Sequence, residues 1–253
     1  MDITISNIKL NYIDEGQGNT VLLLHGWGSS IDIWRPFINA LKNEIRFVAL
    51  DFPGCGKSEE PENPLTIDDY ADIVEEFINR LNLTDFSMVG HSHGGRVIMK
   101  LAGEGRVKPR RIIFIDAAGV KPKKSFVKTA KVLTYKTARK ALSLPVIRNY
   151  TENTLNRLRS YFGSSDYSSA SDLMRKTLVN LVNSDMTPLL KNITCPTFLI
   201  WGDKDTATPL YMAETIQSHI KDTGICVYEG TDHFSFIRQI GRTTAIFKSF
   251  LGE

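Results

Sequence analysis

The sequence is poor in the features that mark secreted, membrane-embedded and nucleic-acid-binding proteins. Its 253 residues include only three cysteines, Cys55, Cys195 and Cys226, an odd number without the spacing of metal ligands or of a disulfide framework. No apolar run approaches the roughly 18 residues that a membrane-spanning helix needs. The first residues lack the basic and apolar regions of a signal peptide. A formal net charge of +3 is too small to indicate nucleic acid as a partner. We therefore expect a cytoplasmic protein without an integral membrane segment.

Short apolar runs alternate with helical patterns along most of the chain. The runs lie at residues 21–24, 47–50, 86–89, 112–115, 196–201 and 225–228. Continuous apolar runs are typical of strands buried on both faces, and their alternation with helices predicts a mainly parallel sheet covered on both sides. Residues 3–12 instead alternate between apolar and polar, which predicts a strand pair with one wet face.

The strand pattern stops between residues 121 and 190, where three or four amphipathic helices are predicted. We interpret this stretch as an insertion after the sixth strand. The core would then consist of residues 1–119 and 190–253, and residues 120–189 would form a helical cap over the carboxyl ends of the strands, where ligands bind. Residues 121–190 carry 13 lysines or arginines and four acids. That surplus fits either an ordinary solvated helix face or a surface that steers anionic substrates.

A glycine-rich turn connects the fifth predicted strand to the next helix. Residues 89–95 read Val-Gly-His-Ser-His-Gly-Gly, and Gly90, Ser92 and Gly94 fit Gly-x-Ser-x-Gly. In such a turn small residues allow a sharp reversal, and the serine at its tip is strained and exposed. The helix that follows directs backbone N–H groups at the tip and favours negative charge there. By itself the pattern fits an ordinary serine in a turn equally well.

A serine hydroxyl needs a neighbouring base, and the base needs a third group that orients it. Among the five histidines, His233 is the one on a free loop past the last strand, at the expected edge of the sheet and outside the serine turn. The loop after the preceding strand offers two carboxylates, Asp203 and Asp205. The residues alone leave both open as the orienting acid.

The order serine, acid, histidine resembles that of the α/β-hydrolase superfamily. Residues 25–28 resemble the oxyanion turn of that family, and residues 51–58 its Asp-x-Pro-Gly-x-Gly-x-Ser loop. Residues 202–209 fit its Gly-x-x-Asp-x-x-x-Pro acid segment. The resemblance covers residues 20–118 and 190–253. It implies an α/β-hydrolase fold, with a mostly parallel eight-stranded sheet, flanking helices and a helical cap after the sixth strand.

The resemblance also implies a role for each candidate residue. Ser92 would be the nucleophile, His233 the base and Asp205 the acid, because the family places the acid three residues after the glycine. The backbone N–H groups of Trp27 and His93 would hold the oxyanion. No metal or organic cofactor is implied, and the expected partner is a small-molecule substrate.

Other polar residues near these motifs receive structural roles. Asp203 is expected to be a loop residue. Asp116 follows the sixth strand, where some relatives carry the acid, but with Asp205 in the usual place we expect it to cap a turn. His25 and Asp51 are expected to tie their own loops by hydrogen bonds.

A serine at the tip of the turn argues against haloalkane dehalogenases and epoxide hydrolases, whose relatives place aspartate there. The preferred function is that of a carboxylesterase. The enzymatic alternative is a carbon–carbon bond hydrolase of the same family acting on an acidic, dienoate-like substrate. An alternative of another class is a ligand receptor that retains the three residues, and fold alone decides none of these.

Overall fold

The computed structural model describes residues 1–121 and 170–252. The chain divides into two units. The larger consists of Met1–Lys121 and Val179–Glu253, and the smaller, Pro122–Leu178, is described only at residues 170–178. Most of the predicted cap, residues 120–189, therefore lies outside the described residues.

Eight strands form one sheet, as predicted. They are β1 (Asp2–Ile5), β2 (Ile8–Glu15), β3 (Asn19–Leu24), β4 (Ile45–Leu50), β5 (Phe86–His91), β6 (Ile112–Ile115), β7 (Thr197–Gly202) and β8 (Thr223–Tyr228). Their order across the sheet is β1-β2-β4-β3-β5-β6-β7-β8. The strand β2 pairs antiparallel with β1 and β4, and every other pair is parallel.

Helices connect the strands and flank the sheet. They are α1 (Arg35–Leu41), α2 (Ile67–Arg80), α3 (His93–Gly103), α4 (Asp172–Asn183), α5 (Tyr211–His219), α6 (Ser235–Arg238) and α7 (Ile240–Leu251), with short 3₁₀ helices at Ile31–Trp34 and Thr187–Asn192. Thr66 caps α2 with Asp69 in a reciprocal pair of hydrogen bonds, as its spacing predicts. None of the helices in the described ranges is long and apolar enough to cross a membrane.

Two helices differ from what their sequence predicts. The spacing of Ile237, Ile240, Ile246 and Phe250 predicts one final helix, but Gln239 adopts φ −123° and ψ 47° and separates α6 from α7. The pair Thr208-Pro209 predicts a capped helix start, but α5 begins at Tyr211 and Leu210 occupies its cap position. The hydroxyl of Thr208 is engaged with Asp205 instead.

The strands β3 to β7 are buried on both faces, which explains their continuous apolar runs. The last strand, β8, has a similar run but lies at the edge of the sheet, where only Tyr228 is buried. In β3, Leu22 and Leu24 belong to the core on the side of α2 and α3, whereas Val21 and Leu23 belong to the core on the side of α1 and α7. All four are fully buried, and burial of each such side chain contributes about 1.5–3 kcal/mol. Because the central strands are parallel, their carboxyl ends meet at one edge, where the loops that follow β3, β5, β6, β7 and β8 come together.

Candidate active site

Ser92 lies at the tip of the turn between β5 and α3 in a strained conformation. Its φ of 49° and ψ of −110° fall where residues with a side chain rarely occur, at a cost of about 1–3 kcal/mol. Backbone hydrogen bonds hold it there. The Ser92 N–H donates to the carbonyl of Ile115 at 3.1 Å, and the Ala118 N–H donates to the carbonyl of Ser92 at 2.9 Å. The end of β6 therefore fixes the turn.

The glycines of the turn permit its close packing. A Cβ atom on Gly94 would lie 2.0 Å from the carbonyl oxygen of Leu24, and one on Gly90 would lie 2.6 Å from the carbonyl carbon of Gly94. A side chain at Gly94 would force the turn away from the end of β3, and one at Gly90 would force β5 away from the start of α3. The Gly94 N–H also donates to the carbonyl of His25 at 3.1 Å. That bond holds the loop after β3 beside Ser92.

The structure brings Ser92, His233 and Asp205 into one hydrogen-bonded line. The Oγ of Ser92 lies 3.0 Å from Nε2 of His233, which follows β8. The Nδ1 of His233 lies 2.7 Å from Oδ2 of Asp205, which follows β7. With the Nδ1 proton donated to the carboxylate, Nε2 is the nitrogen that accepts from the Ser92 hydroxyl.

Asp205 is buried but held in its ionised form. Its Oδ1 accepts from the backbone N–H groups of Ala207 at 2.7 Å and Thr208 at 2.9 Å, and its Oδ2 accepts from the Thr208 hydroxyl at 2.6 Å. Burial by itself would raise the pKa of Asp205, but the hydrogen bonds from His233 and Thr208 outweigh it and bring the pKa below its usual value. The sequence prediction missed Thr208. Its signal was a hydroxyl three residues after the acid.

The resemblance assigns the oxyanion to two backbone N–H groups close to Ser92 in the fold. They belong to Trp27, in the loop after β3, and to His93, the first residue of α3. Neither donates a hydrogen bond to any part of the chain within residues 1–121 and 170–252. The His93 N–H also lies at the positive end of the α3 dipole, which favours a developing negative charge.

The loop after β3 is shaped by residues that sequence reasoning treated as structural. The His25 Nδ1 donates to the carbonyl of Gly26 at 2.7 Å, and its Nε2 accepts from the Phe52 N–H at 3.0 Å. Burial lowers the pKa of His25, so its ring is neutral. Asp51 accepts from the Ile31 N–H at 2.7 Å. Both side chains tie the loops beside the site.

Comparison with known proteins identifies the family. The family model described as alpha/beta hydrolase fold matches residues 19–239. The chain belongs to the α/β-hydrolase family.

The individual relatives of this α/β-hydrolase carry the names of different hydrolytic activities. A pimeloyl-[acyl-carrier protein] methyl ester esterase of Nitrosomonas europaea is 24% identical over 242 residues, 88% of this chain and 91% of its own. A soluble epoxide hydrolase of Corynebacterium sp. is 31% identical over 112 residues, 44% of this chain and 39% of its own. The structure of an enol-lactonase from Burkholderia xenovorans LB400 covers 100% of both chains at 20% identity, with a TM-score of 0.77. Together the likenesses support a hydrolase.

His91 packs directly behind His233 in this hydrolase, a contact that sequence reasoning did not find. Its Nε2 donates to the backbone carbonyl of His233 at 2.9 Å, and the two ring centroids lie 4.9 Å apart. Burial lowers the pKa of His91 to about 3, so the ring stays neutral. We infer from these contacts that His91 fixes the backbone of the loop that carries His233.

Asp116 does not cap a turn, contrary to expectation, but bridges two loops of the site. Its Oδ1 accepts from the Gly202 N–H at 2.8 Å, and its Oδ2 accepts from the Ser235 hydroxyl at 2.6 Å. It is fully buried at φ 43°, and burial raises its pKa to about 7. Asp203 is a loop residue, as expected, and its Oδ1 accepts from the Gly230 N–H at 2.6 Å.

Proposed function

We propose that this α/β-hydrolase is a serine carboxylesterase that cleaves a small-molecule ester, or a related acyl substrate, through an acyl-enzyme intermediate. One observation carries the proposal. The Ser92 hydroxyl lies 3.0 Å from His233 Nε2, and His233 Nδ1 lies 2.7 Å from Asp205. These are the distances at which an imidazole can take the proton of a serine hydroxyl while a carboxylate fixes its tautomer.

In the first half of the proposed reaction, His233 Nε2 accepts the Ser92 proton as Oγ attacks the carbonyl carbon of the ester. The carbonyl oxygen becomes an oxyanion, which accepts hydrogen bonds from the backbone N–H groups of Trp27 and His93. Removal of one such donor typically costs on the order of 10²–10³ in rate. When the intermediate collapses, His233 gives its proton to the departing alkoxide, and the acyl group remains on Ser92.

In the second half, water replaces the alcohol. His233 takes a proton from the water while the water oxygen attacks the acyl carbon. It then gives that proton to Ser92 Oγ when the carboxylic acid product departs. Asp205 stays ionised through both halves and stabilises the imidazolium that forms twice in each cycle. The low pKa of Asp205 supports this assignment.

A panel of p-nitrophenyl esters, methyl esters, thioesters and lactones of varied acyl length tests the proposal. We expect repeated turnover of at least one ester series at ordinary enzyme rates. If every ester is inert and the protein cleaves a carbon–carbon bond in a dienoate, its function is that of a carbon–carbon bond hydrolase and not of an esterase. A single slow turnover accompanied by a large rise in melting temperature would identify a receptor instead.

A further inference from the structure

Unpartnered polar atoms are concentrated beside the serine turn. Across residues 1–121 and 170–252, six buried side-chain polar atoms have no hydrogen-bond partner. Four of the six belong to His93, Tyr70 and Arg96: both ring nitrogens of the histidine, the phenol oxygen and the guanidinium Nε. Buried polar atoms are otherwise almost always satisfied, so such a concentration calls for a functional explanation.

His93 is the residue that lies next to the other two side chains and to the candidate nucleophile. His93 follows Ser92 directly, and the Tyr70 ring packs edge-on against the His93 ring with centroids 4.6 Å apart. Arg96 lies three residues after His93 on the same face of α3. Burial and then the charge of Arg96 hold the pKa of His93 well below its usual range. Because helical side chains tilt toward the N-terminus of their helix, that of Arg96 leans toward the end that carries Ser92.

Arg96 lacks a counter-ion, whereas two less buried arginines have one. Arg46 pairs with Asp14, and Arg106 pairs with Glu75. Arg96 is only 8% exposed, yet its side chain makes no ion pair or hydrogen bond with any described part of the chain. Burial lowers its pKa to about 10, so the guanidinium remains charged at neutral pH. A buried charge without a counter-ion is costly and is complemented most directly by an anion.

We propose that Arg96, with the side chains of His93 and Tyr70, forms a subsite that binds a carboxylate group of the substrate attacked by Ser92. A guanidinium matches a carboxylate with two parallel hydrogen bonds, and the neutral imidazole and phenol each have one proton to donate. A single positive charge balances a monoanion better than a phosphate dianion. The inference rests on the proposed function for the reaction, and it narrows the substrate to an ester whose acyl part carries a carboxylate.

Two esters of equal acyl length provide the kinetic test: the mono-p-nitrophenyl ester of glutaric acid, which has a free carboxylate, and neutral p-nitrophenyl valerate. We expect wild-type protein to have the higher kcat/KM for the glutarate ester. In Arg96→Met the ratio of the two kcat/KM values should fall on the order of 10- to 100-fold, mainly through KM. Arg96→Lys should restore part of the ratio, because it keeps the charge but loses the planar fork.

Lys100 offers a matched control. It lies one turn further along α3 and already pairs with Asp68 and Glu104. Lys100→Met should leave the ratio of the two kcat/KM values unchanged. An equal loss for both esters in Arg96→Met, or the same fall of the ratio in Lys100→Met, would overturn the subsite.

Binding without turnover separates this proposal from the proposed function. In a Ser92→Ala background, glutarate should raise the melting temperature, and it should not do so once Arg96→Met is added. The Arg96→Met protein without glutarate should melt at least as high as its parent, because a buried unpaired charge has been removed. If glutarate stabilises only proteins with Arg96 while every ester is inert, the subsite stands and the esterase does not. If esters turn over but glutarate stabilises neither protein, the esterase stands and the subsite is wrong.

Discussion

One group of polar side chains includes Ser92 and a second begins at the next residue, His93, and the chain completes the hydrogen bonds of the first group but not of the second. From Ser92 through His233 to Asp205 every step is a hydrogen bond of 2.7–3.0 Å. Around Arg96, four polar atoms have no partner among the described residues. A fully bonded line favours one protonation pattern before substrate arrives, whereas unpartnered groups gain their bonds from a ligand. Under the proposed function, the fully bonded line would carry out the reaction and the unpartnered groups would recognise the substrate.

The largest effect is expected from the variant that removes the first group of the bonded line, the Ser92 hydroxyl. Ser92→Ala should lower kcat on the order of 10⁴–10⁶-fold, because no other group in the line can form the acyl-enzyme. Steady-state kinetics on the best ester of the panel measures the loss. Circular dichroism and the melting temperature should show an intact fold, and a fully active Ser92→Ala protein would contradict the assignment.

The next largest effect is expected from the variant that removes the last group of the line, the Asp205 carboxylate. Asp205→Asn should lower kcat on the order of 10⁴-fold, because the amide no longer fixes the tautomer of His233 or stabilises its charged form. Asp203→Asn is the matched control two residues earlier and should cost far less. A severe loss in Asp203→Asn, or in Asp116→Asn, would assign the acid to that position instead.

A smaller effect is expected from the hydroxyl that supports Asp205. Thr208→Val keeps the shape of the side chain but removes the hydrogen bond to Oδ2, so the pKa of Asp205 should rise and kcat should fall on the order of 10-fold. Thr208→Ser should retain most of the activity. The acid limb of the pH profile should move upward in Thr208→Val alone, and identical profiles for the two variants would contradict the role of the hydroxyl.

The smallest effect on activity is expected at Asp116, whose readout is stability. Burial raises its pKa from 3.8 to about 7, so between these values the folded protein holds a proton that the unfolded chain releases. Its contribution is fully present below about pH 4 and is lost as pH rises through about 7. From pH 5 to pH 8 the wild type should lose on the order of 2 kcal/mol of unfolding free energy relative to Asp116→Asn. Urea unfolding at both pH values measures this, and parallel curves would contradict the raised pKa.

Most of the bonded line could be predicted from the sequence, because its parts follow from the fold, but the choice of Asp205 over Asp203 came from the family resemblance. The apolar runs predict parallel strands, the carboxyl ends of parallel strands share an edge, and Ser92, Asp205 and His233 each follow a different strand. The order of the motifs predicts which loops carry these residues, but only the structure gives the distances between them. The same logic predicted the eight-stranded sheet.

Residues whose side chains depend on packing between distant loops escaped prediction. Thr208-Pro209 has the local pattern of a helix start, yet the hydroxyl is taken by Asp205, a competition that propensity does not describe. The bond from His91 to the carbonyl of His233 joins residues 142 positions apart. Gln239 interrupts an apolar period that continues on both sides of it. Arg96 looks like a polar residue on an amphipathic helix until its burial is known.

Covalent labelling tests the central claim, that His233 and Asp205 activate Ser92, most directly. A serine-directed fluorophosphonate should add one group to the wild-type protein, and peptide mapping should place it on Ser92. Labelling should vanish in Ser92→Ala and slow strongly in Asp205→Asn, but proceed at the wild-type rate in Asp203→Asn. An adduct on another residue, or equal labelling of the wild type and Asp205→Asn, would contradict the account.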